Sequence, residues 1–323
     1  MLKRPRRNRK SAAIRSLVEE TILRPADLVV PFFLIAGENQ REQIPSMPLV
    51  ERLSIDLIVK QAEKLHASGI QAVALFPVIK GEEKDPIGSI ALQSDNLVAR
   101  AIQTLKKQIP SLCVITDIAL DPYTSHGHDG ILNSSGEVAN DATIEVLSQM
   151  ALMHAQAGAD IVAPSDMMDG RVGAIRRVLD GKSFHDVNIL SYTAKYASSL
   201  YAPFRDALGS QLRSGDKKTY QMNPSNAREA LLEAALDVEE GADILMVKPA
   251  LYYLDIIAKL KEHTHVPIAA YHVSGEYAMV MAAHEKGYGD AEKMFYEALL
   301  SIKRAGADFI FSYAAPMILK TLC

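Results

Sequence analysis

Apolar and polar positions alternate along this chain in blocks. Short runs rich in Val, Ile, Leu and Ala stand at Leu28–Ile35, Ile70–Val78, Leu112–Ile118, Asp160–Ala163, Val187–Tyr192, Asp243–Val247, Ile268–Val273 and Asp308–Ser312. They show little polar alternation, the mark of strands covered on both faces in a parallel sheet. Between them lie stretches with helical spacing, such as Asn140–Ala157, Asn226–Glu240 and Ala291–Arg304. The first two open on an Asn in a capping position. Three times a helix gives way to a strand through Gly-Ala-Asp, at Gly158, Gly241 and Gly306; glycine suits the left-handed residue that stops a helix. Eight strands alternating with helices predict an α/β fold, a closed (β/α)8 TIM barrel. An open doubly wound sheet is the rival, disfavoured because no G-x-G-x-x-G follows a strand.

Two of these strands end on lysine. Lys195 follows the fifth strand and Lys248, in Ile244-Leu245-Met246-Val247-Lys248-Pro249, ends the sixth. Barrel active sites gather at the C-terminal ends of strands, so neighbouring strands bring both amines to one mouth. Lowering an amine from about 10.4 to near 7 takes roughly 4–5 kcal/mol. A second ammonium about 6 Å away at an effective dielectric of about 20 supplies roughly 2.8 kcal/mol, leaving the rest to desolvation. A neutral amine can attack a ketone to form a Schiff base. The bland alternative is a pair of lysines bonded to carboxylates.

Composition adds limits. The chain has 323 residues, 48% hydrophobic and 23% charged, with a net charge of −4. That suits a barrel with extensions and carries no global nucleic-acid footprint. The longest apolar run, Leu28 to Ala36, is too short to span a membrane. The two cysteines, Cys113 and Cys323, offer neither a disulfide framework nor a CxxC metal pair, as befits a reducing cytoplasm. Residues 1–24 read as a basic N-terminal arm, with Lys3, Arg4, Arg6, Arg7, Arg9 and Lys10, and residues 25–323 as the barrel. The arm suits a flexible or subunit-clasping role, since no aromatics interleave its charges as nucleic-acid binding would favour.

Other chemistry clusters after the third strand. The segment from Asp117 to Gly130 holds Asp117, Asp121, Asp129, His126 and His128. Its oxygen-rich side chains suit a hard cation such as Mg²⁺; a turn-rich structural loop is the alternative. The stretch from Tyr196 to Gln221 carries Tyr201, Phe204, Arg205, Arg213, Lys217 and Lys218, and reads as a lid over an anionic substrate or as a solvated basic loop. Ser274 and Tyr313 follow late strands, where their hydroxyls can bond a carboxylate or cap a helix.

At these residues the chain resembles the porphobilinogen synthase (5-aminolevulinate dehydratase) family. Gly241 to Tyr253, Tyr123-Thr124-Ser125-His126-Gly127-His128, Tyr220-Gln221-Met222-Asn223-Pro224 and Val273 to Met279 follow that family's motifs in order. The resemblance implies condensation of two 5-aminolevulinate molecules to porphobilinogen with loss of two waters, in tetrapyrrole synthesis. It implies Schiff bases at Lys248 (the P site) and Lys195 (the A site). Arg205 and Lys217, assisted by Gln221, would hold the A-site carboxylate, Ser274 and Tyr313 the P-site carboxylate, with Asp117 near the A-site amine. Glu233 matches an allosteric Mg²⁺ position, and the arm implies a homo-oligomer, commonly an octamer. Ala119, Asp121 and Asp129 stand where zinc-dependent members have cysteines, so the chain resembles the aspartate-rich class, with no zinc expected. Asp121 and Asp129 would hold Mg²⁺, a monovalent cation or water. Lys217 stands where many relatives have arginine and lacks that residue's bidentate fork. A class I aldolase, using one Schiff-base lysine, and a non-catalytic barrel scaffold are the rival readings.

Overall fold

A computed structural model describes residues 2–213 and 215–322; Cys323 lies outside them. The eight expected strands form the barrel: β1 (Leu28–Leu34), β4 (Ala72–Pro77), β5 (Cys113–Ile118), β6 (Ile161–Pro164), β7 (Asn188–Lys195), β8 (Ile244–Lys248), β9 (Ile268–His272) and β10 (Phe309–Ser312). All pair in parallel, and β10 returns to β1 through Leu28 opposite Ile310, which closes the sheet. Each is almost wholly buried, because side chains fill the barrel on one face and meet helices on the other. Closure excludes the doubly wound rival.

Helices α2 (Ile55–Ala67), α3 (Leu97–Gln108), α4 (Asn140–Ala157), α5 (Arg171–Gly181), α7 (Arg228–Glu240), α8 (Leu254–His263), α9 (Ser274–Glu285), α10 (Ala291–Ala305) and α11 (Ala315–Leu322) surround the sheet. Gly158 and Gly241 stop α4 and α7 at φ +104, as their positions in the chain predicted. The two expected asparagine caps are not formed. Asn140 is the first residue of α4 and exchanges hydrogen bonds with the backbone of Asp169, while Asn226 bonds the Glu229 carboxylate. The boundaries decide this: Ala139 and Ala227 occupy the capping positions, one residue away from each Asn.

Two additions decorate the mouth. An antiparallel hairpin, β2 (Arg41–Gln43) and β3 (Glu51–Leu53), joins the sheet by pairing β3 in parallel with the end of β1, Phe33 opposite Arg52. A short helix, α6 (Ala202–Leu208), follows β7. At the other extreme, the segment before the barrel holds α1 (Ala12–Leu17), which buries no residue and leaves Leu17 exposed. The arm joins the barrel at buried Leu23 and at Asp27, which pairs with Arg24 and Lys303.

Candidate active site

Strand register puts the two lysines side by side. Lys195 ends β7, Lys248 ends β8, and the two are register partners across a strand pair that shifts between Ser191 and Ala194. Both are at least nine-tenths buried and line one cavity with Asp117, Asp121, Arg205, Lys217 and Gln221. Ser165, Tyr201 and Phe204 complete the wall. The cavity leaves only about 30 Å³ for water-sized occupants, room for about two waters.

The Lys248 amine stands among four aromatic rings: Tyr271 at 4.5 Å, Tyr192 at 4.9 Å, Phe204 at 5.0 Å and Tyr201 at 5.4 Å from Nζ to the ring centres. The ring faces favour an ammonium, yet they also exclude water. Exclusion wins: burial first, and the Lys195 charge second, bring Lys248 from its ordinary 10.5 down to about 7. Desolvation therefore outweighs the neighbouring ammonium, the reverse of the order expected from sequence.

Lys195 has a different environment. Its Nζ donates to the Ser165 carbonyl and lies 3.2 Å from Asp129. Asp129 also accepts from Lys217 at 2.5 Å, and Lys217 reaches Asp121 at 3.4 Å. Burial alone would raise Asp129, but Lys195 and Lys217 outweigh it and hold the carboxyl down at about 2. Lys217 is raised despite its burial by Asp121 and Asp129, so it stays an ammonium. Asp117, buried first of all and then repelled by Asp121, rises to about 7. Its Oδ1 has no hydrogen-bond partner among the described residues. The cavity thus holds one amine and one carboxyl that both change protonation near neutrality, beside the Lys217–Asp129 pair, which stays charged.

Arg205 faces the cavity from α6, and its guanidinium makes no hydrogen bond or ion pair among the described residues. The histidines of the aspartate-rich loop serve structure: His126 Nε2 meets the Pro86 carbonyl at 3.0 Å, and His128 Nδ1 meets the Tyr220 hydroxyl at 3.1 Å.

Ser274 and Tyr313 do not line the cavity. Ser274 Oγ accepts from the Phe204 amide at 3.0 Å, and the Tyr313 hydroxyl pairs with that of Tyr271 at 2.9 Å. The Phe204 ring fills the intervening space, 5.7 Å from Phe33 and 5.4 Å from Phe76; Phe33 in turn stacks on Tyr313. Sequence reasoning passed over the Tyr192 and Tyr271 rings, which read as ordinary strand residues, and Ser165, just past the end of β6. It also passed over Glu276, whose buried carboxylate accepts the amides of Leu251 at 2.6 Å and Val273 at 2.7 Å. That carboxylate fastens the loop after Lys248 to the start of α9.

Glu233 lies apart, half-buried on α7, in a second cavity with Glu137, Asn140, Asp169, Asn226 and Glu229. Burial raises its carboxyl, and Asp237, Asp169 and Glu229 add to that against the pull of Arg171. Among the described residues no three His, Cys, Asp or Glu side chains stand close enough to share a metal ion. Gln221 borders both this cavity and the lysine site.

The profile of delta-aminolevulinic acid dehydratase matches residues 2–321. The chain belongs to the delta-aminolevulinic acid dehydratase family. It is 56% identical over 320 residues to the delta-aminolevulinic acid dehydratase of Chlamydia pneumoniae, covering 99% of this chain and 96% of that one. It is 52% identical over 314 residues to that of Bradyrhizobium diazoefficiens, covering 97% and 89%. The crystal structure of the enzyme from Toxoplasma gondii, in complex with the product porphobilinogen, superposes with a TM-score of 0.97 at 49% identity, covering 99% of this chain and 92% of that one. The activity is therefore that of a porphobilinogen synthase, a lyase forming porphobilinogen from two 5-aminolevulinates. The aldolase and scaffold readings fall. Among the described residues no helix is long and apolar enough to cross a membrane.

Proposed function

We propose that this synthase binds its two substrates as imines, one on Lys248 and one on Lys195. The observation that carries this is the Lys248 amine, brought to about 7 in a ring-lined cavity beside a second buried lysine. At neutral pH a large fraction is uncharged, and its lone pair can add to the C4 ketone. The carbonyl oxygen takes up a proton, the carbinolamine forms, and water leaves to give the imine. Asp117, also titrating near 7, is the cavity group suited to deliver and accept those protons. Holding two ketones on adjacent strand ends makes the condensation local.

Arg205 is the cation best placed to receive a substrate carboxylate, because its guanidinium is not already paired. Lys217 would assist with Gln221, though Asp121 and Asp129 already share its charge. Ser274 and Tyr313 would reach the other carboxylate only once the Phe204 ring leaves its place.

Asp121 and Asp129 are neutralised by Lys217 and Lys195, which leaves no uncompensated charge for a divalent or monovalent cation there. The residues around Glu233 do fit Mg²⁺: oxygen donors line that cavity, and negative charge is in excess. The carboxylate of Glu233, with water, would hold the ion. Mg²⁺ would supply charge neutralisation next to the Tyr220–Gln221 segment, and Gln221 carries that boundary into the lysine cavity. The exposed arm, with Leu17, Val18 and Ile22 uncovered, supports a homo-oligomer, the octamer common in the family. A cytoplasmic location agrees with the absence of a CxxC pair or disulfide framework in the sequence.

The test is incubation with 5-aminolevulinate, assay of porphobilinogen, and borohydride reduction followed by peptide mass analysis. Adducts on Lys248 and, at high substrate, on Lys195 are expected. Product formation with neither lysine ever modified would overturn the imine mechanism.

A further inference from the structure

Helix α6 carries both Phe204 and Arg205 into the cavity, and it is fastened at both ends. At its start, the Ser274 hydroxyl receives the Phe204 amide and donates to the Leu200 carbonyl at 3.2 Å. Gly275 permits this approach, because a Cβ there would lie 2.5 Å from the Leu200 carbonyl oxygen. At its end, the Gly209 N–H caps the Arg205 and Asp206 carbonyls, and the Ala207 carbonyl is left for a partner from outside the helix. Arg52 supplies one: its Nε donates to the Ala207 carbonyl at 2.7 Å and its Nη2 to the Asp206 carbonyl at 2.8 Å. The Ser46 hydroxyl donates to the Asp206 carboxylate at 2.5 Å, and Lys84 donates to the Gly209 carbonyl at 3.0 Å. Arg52 comes from β3, opposite Phe33, whose ring touches Phe204. One register pair, Phe33 of β1 and Arg52 of β3, therefore meets the lid twice, once through an apolar ring and once through a guanidinium.

The cavity beneath has room for about two waters at 30 Å³, far less than two five-carbon keto acids need. The helix must lift to admit substrate and return to bring Arg205 back.

We infer that Arg52 is a positioning residue for this reaction, the latch by which the β2–β3 hairpin holds the end of α6 so that Arg205 and Phe204 return to one place over the substrates. The cationic fork suits the task twice over. It bonds two carbonyls at once, and its charge opposes the negative end of the helix. Glu42, at 3.1 Å from the remaining Nη1, steadies the guanidinium from the hairpin side. Arg52 touches no reacting atom and acts only through α6.

The inference rests on the imine-forming reading for its kinetic consequence, but not for its structural one, and the test separates the two. Hydrogen exchange of the full chain without substrate is followed by mass spectrometry for wild type, Arg52→Gln and Arg52→Lys. Peptides spanning residues 202–213 are expected to exchange about tenfold faster or more in Arg52→Gln, as two charge-assisted bonds are lost. Arg52→Lys should fall between, since it keeps the charge and loses the fork. Peptides from β7 and β8 should be unchanged. In turnover, Arg52→Gln should raise KM for 5-aminolevulinate about tenfold while kcat falls less than threefold, with borohydride trapping at Lys248 preserved. Unchanged lid exchange in Arg52→Gln would overturn the latch, as would faster exchange with an unchanged KM. If Arg52→Gln does not fold, Arg52→Lys and Ser46→Ala carry the same comparison with smaller shifts. A wild type with no porphobilinogen formation would sink the functional reading, and lid exchange alone would then decide the latch.

Discussion

Replacement of Lys248 by methionine, which fills nearly the same volume without the amine, is expected to abolish turnover and to stabilise the protein at neutral pH. Lys248 is more than nine-tenths buried and drops from 10.5 to about 7 on folding, chiefly through desolvation. A drop of that size corresponds to roughly 4–5 kcal/mol of stability withheld from the fold. Part of that is not recovered in the variant, because Asp117 loses a favourable neighbour and the rings lose a cation. A net gain of about 2–3 kcal/mol is expected. For a chain of this size that corresponds to a Tm higher by roughly 4 °C or more. The pH dependence fixes the cause. In the unfolded chain the amine keeps its proton up to 10.5, and in the fold only up to about 7. Below 7 both states carry the proton and the wild type bears the full cost. From 7 upward the folded state binds fewer protons, so wild-type stability climbs by about 1.4 kcal/mol per pH unit and the variant's advantage shrinks. Chemical denaturation of both proteins at pH 6.5 and pH 9 measures this. A variant less stable than wild type at pH 6.5, or an advantage that does not narrow by pH 9, would refute the reasoning.

Other outcomes follow from the same cavity. In Arg205→Leu, KM for 5-aminolevulinate should rise about a hundredfold, in keeping with about 2–3 kcal/mol for a charge-assisted pair, while a single substrate is still trapped on Lys248; an unchanged KM would show that the carboxylate is held elsewhere. Asp129→Asn leaves Lys195 and Lys217 sharing no carboxylate; stability should fall by about 3 kcal/mol or more, read as a lower denaturation midpoint, and a neutral effect would mean the ion pairs are not formed. The pH profile of kcat/KM should rise through a limb near 7, owned jointly by Lys248 and Asp117 since both titrate there. A rising limb near 10 would mean that the amine is not perturbed.

The barrel was legible because its strands are apolar on both faces, so Leu28–Leu34 and Ile244–Lys248 announce themselves without any partner in view. The lysine pair was legible for a related reason: a charged residue closing such a run has few structural uses. The β2–β3 hairpin was not. Arg41, Glu42 and Gln43 are all exposed and carry no periodic signal. Nor were partners set by tertiary packing. Ser274 and Phe204 stand seventy positions apart, and so do their hydrogen-bonding atoms in any sequence reading. The loop from Asp117 to Asp129 presented carboxylates suited to a cation; the cation that meets Asp121 and Asp129 is Lys217, from a segment almost a hundred residues away. Asn140 falls one residue inside α4 and Asn226 one residue before the cap of α7, so each side chain meets another partner. In each case periodicity found the element, and distant contacts decided what its side chains do.

The Lys248 amine is about half uncharged at neutral pH because its cavity excludes water. Trace labelling with an amine-acylating reagent across pH 5 to 11, read at the Lys248 peptide by mass spectrometry and normalised to an exposed lysine such as Lys218, measures that titration directly. A labelling midpoint near 7 is what the account requires. A midpoint near 10, the ordinary range of a lysine in water, would contradict it.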